Sequence, residues 1–203
     1  MVANQYQDIY AFVMVLGYSR MKYVEFTTNM NMETLMKCHM NSFAYFNGIP
    51  EQILYDNMKT VVLKHTPVEI RFNRKFEDFL AYYGIIPNAC RPKRPQTKGK
   101  VERVVKYLKE NFFQRKHEST LQALNEDIRT WLDQVANRKP NQTTKEPPIQ
   151  RFEKEQKFLQ SWGVKPLFPT NRWETREVSQ DCFVSYRGKN ILFPIATQDK
   201  RSK

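Results

Sequence analysis

The chain has 203 residues, 33 Lys and Arg against 21 Asp and Glu, and a formal net charge of +12. Aromatic residues make up 13% of it, too many for a disordered basic tail. Cys38, Cys90 and Cys182 are too scattered for a disulfide framework or a zinc finger, and the longest apolar run, Ile9 to Leu16, is too short to cross a bilayer. The start MVANQYQDIY lacks the pattern of a secretory leader, so a reduced, cytosolic protein facing a polyanion is the expectation.

Ile9 to Leu16 and Met21 to Phe26 read as a two-stranded hairpin around Gly17-Tyr18-Ser19, with the first strand largely buried. Asn29 to Asn31 supplies a helix cap. Met32, Leu35, Met36, Met40, Phe43 and Ala44 then recur at helical spacing up to Gly48, a natural stop. His39 lies beside that stripe and reads as packed rather than chemical. Gln52 to Tyr55 is a short strand with Asp56 at its tip, where the acid could cap a following helix or serve a site at the strand edge. Val61 to Ile70 is ambiguous between strand and loop. Phe72 to Tyr83 is a helix closed by Gly84, and Ile85 to Ala89 is a strand.

A loop punctuated by Pro92 and Pro95 follows, and a helix restarts around Gly99. Val101, Val104, Val105, Leu108 and Phe112 form its apolar stripe, which leaves Glu102, Lys106 and Lys109 on a neighbouring face. Glu102 stands among Arg91, Lys93, Arg94, Lys98, Lys100, Arg103, Lys106 and Lys109. Two readings are open for it: an i,i+4 bridge to Lys106, or a metal ligand placed where a polyanion lies. Leu121 to Val135 carries another packed face behind Ser119 or Thr120. Asn137 to Pro148 reads as a polar loop leaving the core, Pro148 to Trp162 as a charged helix, and Gly163 to Trp173 as an extended linker. Glu174–Ser179, Cys182–Tyr186 and Ile191–Pro194 read as short strands, with a tight turn at residues 187–190.

Three of these stretches resemble one family. RPQTKGKVER is similar to the motif around the last acid of the retroviral-integrase-like DDE transposases, Ile53-Leu54-Tyr55-Asp56-Asn57 to the strand bearing the second acid, and YAFVMVLGYSRMKYVEF to the hairpin after the first. The resemblance covers nearly the whole chain and is closest to the IstA type of two-gene insertion sequences. It implies an α/β fold: a ribonuclease-H-like mixed sheet flanked by helices, with a small incomplete C-terminal β unit. It divides the chain into a catalytic core at 1–137 lacking its first strand, a helix and linker at 138–173, and a truncated β domain at 174–203.

The implied chemistry is DNA transposition by metal-dependent phosphoryl transfer. Asp56 and Glu102 would be catalytic and hold Mg²⁺ or Mn²⁺, and the eight named cations would bind DNA. The implied partners are element ends and target DNA, an ATPase helper of the IstB type and further copies on DNA, in a bacterial cytoplasm with no membrane. Such enzymes use three acids. Asp8, just before the hairpin, does not match the first, so the expected chain is truncated and catalytically incomplete yet still able to bind DNA. The alternative is a basic nucleic-acid-binding module with no catalytic role.

Overall fold

A computed structural model describes residues 7–56, 61–65, 70–89, 95–113, 120–170, 179, 181, 183–186 and 189–192. They fall into two units, Met1–Thr170 and Asn171–Lys203.

The first unit opens with strands β1 (Tyr10–Val15) and β2 (Lys22–Thr27), antiparallel, with Tyr10 opposite Thr27 and Val15 opposite Lys22. The tight turn between them holds Arg20 at φ 66°, its guanidinium donating to the Gly17 carbonyl at 2.6 Å. Of the two strands it is β2, not β1, that is enclosed. The reason is that β2 is packed from both faces. Tyr23 enters the core beneath the first helix, while Val24 and Phe26 enter a second core on the other side.

That first helix, α1 (Met32–Phe46), begins where the Asn31 side chain accepts the Thr34 N–H at 2.8 Å. It stops one residue before the expected glycine, because Asn47 itself takes the left-handed conformation at φ 47°. Gly48 is needed for another reason. A Cβ there would lie 2.6 Å from the Leu159 Cβ.

Strands β3 (Gly48–Ile49) and β4 (Gln52–Tyr55) follow. The ambiguous stretch resolves into an antiparallel pair, β5 (Val62–His65) and β6 (Ile70–Phe72). Helix α2 (Arg74–Tyr82) is capped by Asn73, which accepts the Lys75 N–H at 3.0 Å, and the chain leaves it through Gly84 at φ 69°. It then enters β7 (Ile86–Ala89), parallel to β4, with Gln52 opposite Ile86 and Tyr55 opposite Ala89. A parallel pair needs a crossover, and β5, β6 and α2 supply it.

Helix α3 spans Pro95–Asn111, so it starts at Pro95 rather than near Gly99. Proline suits a first helical turn, where its missing N–H has no partner to lose. Helix α4 (Leu121–Trp131) is capped by Thr120, accepting the Ala123 N–H at 3.2 Å, and widens into a π turn, Leu132–Ala136. The wide turn re-phases the helix: Leu132 and Ala136 are buried, while Val135, expected on the packed face, is 42% exposed. Helix α5 (Pro148–Glu155) and a 3₁₀ turn (Gln156–Phe158) lead to β8 (Gln160–Ser161), which pairs with β3.

As far as Thr170, the segment expected to leave the core is bound to it. Phe152 is buried, and Phe168 packs edge-on against Phe79 and Tyr82 at 5.4 and 5.5 Å. The two cores therefore sandwich the β1–β2 hairpin. Met36, Phe43, Phe76 and Phe79 lie on one side of it, and Val104, Leu108, Ile128 and Leu132 on the other. Helices on both faces of strands make this an α/β fold.

In the second unit, β9 (Phe183–Tyr186) and β10 (Lys189–Leu192) form an antiparallel hairpin with Tyr186 opposite Lys189. The expected strand at 174–179 lies almost wholly outside the described residues. Among the described residues no helix is long and apolar enough to cross a membrane.

Candidate active site

Because β4 and β7 run parallel, their C-terminal ends share one edge. Asp56 follows Tyr55 directly at that edge and is exposed. The chain leaves β7 at Ala89 on the same edge and enters α3 shortly afterwards at Pro95. Glu102 lies about two turns into α3 and is exposed, as are Arg103, Lys106 and Lys109.

What fixes α3 is its apolar stripe, which is shorter than its spacing suggested. Val104, Leu108 and Phe112 are buried, whereas Val101 is 42% exposed. Phe112 stacks on Phe26 of β2, 6.0 Å between ring centres. Val101, Glu102 and Arg103, just ahead of the first buried position, are exposed. Lys106 pairs with Glu110, 3.7 Å away.

Arg91, Lys93 and Arg94 lie outside the described residues, and Lys98 and Lys100 lie on α3 with their side chains outside that description. Asp8 is exposed just ahead of β1. Among the described residues no group of three His, Cys, Asp or Glu is arranged to hold a metal ion.

Behind Asp56 stands a buried polar pair that the sequence did not announce. The Leu35 carbonyl can only accept, so the 2.8 Å contact makes His39 Nδ1 the donor and leaves Nε2 as an acceptor. The Tyr55 hydroxyl donates to that nitrogen at 3.2 Å. Phe12, Phe43, Phe76 and Phe79 surround the imidazole at 5.0 to 6.1 Å between ring centres. Burial lowers the His39 pKa to about 4 and raises that of Tyr55 well above its ordinary value. His39 is therefore a neutral core residue that ties the last residue of β4 to α1. No local pattern reveals the pair, since it joins side chains from two separate elements.

The integrase core domain family (rve) matches residues 1–95, a span that includes Asp56 and ends before Glu102. A putative transposase of the insertion sequence IS5376 from Geobacillus stearothermophilus is 44% identical over 185 residues, 89% of this chain and 44% of the relative. The IS21 transposase of Pseudomonas aeruginosa is 36% identical over 200 residues, 96% of this chain and 50% of the relative. An IS21-like transposase of Bacteroides fragilis is 33% identical over 190 residues, 93% and 36% of the two chains.

The chain belongs to the insertion-sequence transposases of the retroviral-integrase-like superfamily.

This transposase chain spans about half the length, or less, of the curated relatives it matches. A solved simian T-cell lymphotropic virus intasome structure aligns with it at TM-score 0.47 and 16% identity, over 84% of this chain and 58% of that one. The acid that follows β4 at the β4–β7 edge, Asp56, offers a carboxylate rather than a thiolate or imidazole. Cys38 and His39 are both buried inside α1. Oxygen donors suit Mg²⁺ or Mn²⁺; Asp56 stands exposed at the end of β4 and Glu102 exposed on α3.

Proposed function

We propose that this transposase chain handles DNA through a ribonuclease-H-like core, with Asp56 and Glu102 sharing a divalent-metal site and α3 supplying the phosphate contacts. One observation carries the reading. The parallel register puts Asp56 at the edge from which the chain departs toward α3, and α3 bears Glu102 on an exposed face with Arg103, Lys106 and Lys109. Mg²⁺ or Mn²⁺, when bound, would stabilise charge on the attacking and leaving oxygens of an in-line displacement at phosphorus. The chain's own residues do the rest. Asp56 and Glu102 hold the cation, and the α3 cations, with Arg91, Lys93, Arg94, Lys98 and Lys100, hold the backbone of the element end and the target. The His39–Tyr55 bond keeps the β4 tip in place.

Two carboxylates bind a cation more weakly than three, because each adds both charge and ligand atoms. We therefore take catalysis by this chain alone to be slight and its DNA binding to be intact. An ATPase helper and further copies on DNA belong to the same proposal.

The test is Mn²⁺ titration followed by electron paramagnetic resonance, alongside nicking and strand-transfer assays, on the wild type, Asp56→Asn and Glu102→Gln. Each substitution should weaken Mn²⁺ binding at least tenfold and leave duplex binding unimpaired. If neither changes Mn²⁺ binding, the shared site is wrong and a non-catalytic binding module is the better description. Efficient strand transfer by the wild type would refute the incomplete site while leaving the metal ligands standing.

A further inference from the structure

The stretch from Asn137 to Pro147, between the π turn and α5, reads in sequence as a polar excursion. It is instead a closed, internally bonded loop. Its ends meet where the Ile149 N–H donates to the Asn137 carbonyl at 3.0 Å. Inside, the Asn141 N–H donates to the Glu146 carbonyl at 3.0 Å, and the Lys145 N–H to the Asn141 carbonyl at 2.8 Å. The Asn141 side chain accepts the Thr143 N–H at 2.9 Å, and the Lys139 N–H reaches back to the Val135 carbonyl at 2.9 Å. Lys145 sits in the left-handed region at φ 58°, which a lysine rarely adopts unless its surroundings hold it there.

This rigid frame points Arg138, Lys139, Gln142, Thr143 and Lys145 at solvent. The carboxylates nearby in sequence are turned to other uses. Glu146 pairs with Arg151 at 3.2 Å, and Asp133 accepts from the Tyr45 hydroxyl. Glu155 accepts the N–H groups of Tyr18 and Ser19 at 3.0 and 2.8 Å. Among the described residues, no carboxylate pairs with Lys139 or Lys145. The result is a fixed cluster of cations and neutral donors in which Lys139 and Lys145 have no carboxylate partner among the described residues.

We infer that the loop at 138–145 is a second phosphate-binding surface, which grips the backbone of duplex DNA independently of base sequence. Preorganisation is the physical argument. A loop already locked by its own hydrogen bonds loses little freedom on binding, so its cations act at full strength on a polyanion. The inference rests on the reading of the chain as a DNA-handling transposase, and it adds a contact carried by an element other than α3.

The test uses the full chain and a fluorescein-labelled duplex, with anisotropy followed as salt is raised. Three proteins are compared: wild type, Lys139→Gln/Lys145→Asn, and the α3 variant Lys106→Gln/Lys109→Gln. Asparagine is chosen at 145 because it tolerates the left-handed conformation. The loop variant should bind about tenfold more weakly at low salt, and its log–log salt slope should be shallower by roughly 2, about one per lysine removed. Lys139→Arg/Lys145→Arg should restore both. A single Lys139→Gln, which touches no left-handed position, should lose about half of the slope change. If the loop variants match the wild type while the α3 variant is weakened, the loop inference is wrong and the proposed function stands. If the wild type does not bind the duplex, both are wrong.

Discussion

Asn137 and Lys22 lock together through a two-way amide pairing. The Lys22 N–H donates to Asn137 Oδ1 at 3.0 Å, and Asn137 Nδ2 donates to the Lys22 carbonyl at 3.0 Å. Asn125 does the same to Phe26, at 2.7 and 2.9 Å. Both strand residues turn their backbone polar groups away from β1, so the two amides pair the outer edge of β2 as a neighbouring strand would. The π turn makes this reachable. Twelve residues of α-helix would carry the second asparagine about 120° round from the first. The wider turn at Leu132–Ala136, wound roughly 20° less per residue, brings it back.

Replacing Asn137 with Ala should therefore cost far more than a lost side-chain contact. It strands a backbone donor and acceptor in a site where Asn137 is 1% exposed. An unsatisfied buried group costs about 1–3 kcal/mol, so Asn137→Ala should lose on the order of 2–3 kcal/mol, measured by urea unfolding. Asn125→Ala, at a half-buried position, should lose less. Equal, near-zero losses would show that water satisfies this edge.

The fold's legibility divides along the same line. Elements set by local pattern could be read from sequence: the β1–β2 hairpin, the cap at Asn29 to Asn31, the body of α2 and the short strand that ends at Asp56. Features decided by a distant partner could not. The helical spacing includes Val101 and Val135, but Val101 lies on the exposed side of α3 and a π turn rotates Val135 outward. Gly48 looks like a helix stop until Leu159 is seen pressing on it. Nothing between residues 137 and 147 shows that the loop closes on itself. Of the candidate site, the sequence put forward Asp56, Glu102 and the α3 cations, and the structure finds Asp56, Glu102, Arg103, Lys106 and Lys109 exposed. The His39–Tyr55 bond was not legible, because it depends on which face of α1 meets β4.

His39 predicts a pH dependence of stability. Its folded pKa of about 4 lies below the ordinary 6.5, so in this interval the unfolded chain binds the proton and the folded chain does not. Stability should fall as pH drops from above 6.5 toward 4, by about 3 kcal/mol if the full shift is realised. Carboxylates titrate in part of this range as well. The decisive quantity is thus the difference between the wild type and His39→Gln in urea midpoint, from pH 7 to pH 4.5. The wild-type curve should be the steeper, and identical slopes would mean that His39 does not carry the effect.

At Gly48 the constraint is steric. An alanine Cβ would sit 2.6 Å from Leu159 Cβ and 2.9 Å from its Cδ1, and the first of these cannot be relieved by a rotamer change. Gly48→Ala should lose about 1–3 kcal/mol and loosen the β3–β8 pairing, seen as faster amide exchange at residues 159–161. Gly17→Ala is the control. Nothing lies within 4 Å of the added carbon, so its unfolding midpoint should stay close to that of the wild type.

Glu110 tests which way α3 faces when DNA is bound. It holds Lys106 at 3.7 Å, but both side chains are more than half exposed, so the pair itself contributes little to stability. To a polyanion, however, Glu110 is a repulsive charge beside the helix cations and a competitor for one of them. Glu110→Gln should leave the thermal midpoint nearly unchanged while tightening duplex binding by about threefold at low salt, with a salt slope steeper by up to ~1. The same change made at Glu153 on α5, an exposed acid outside α3, should have a smaller effect. If Glu110→Gln leaves duplex affinity and slope as they were, the outward face of α3 is not the one that meets DNA, and the phosphate contacts must be sought on other elements.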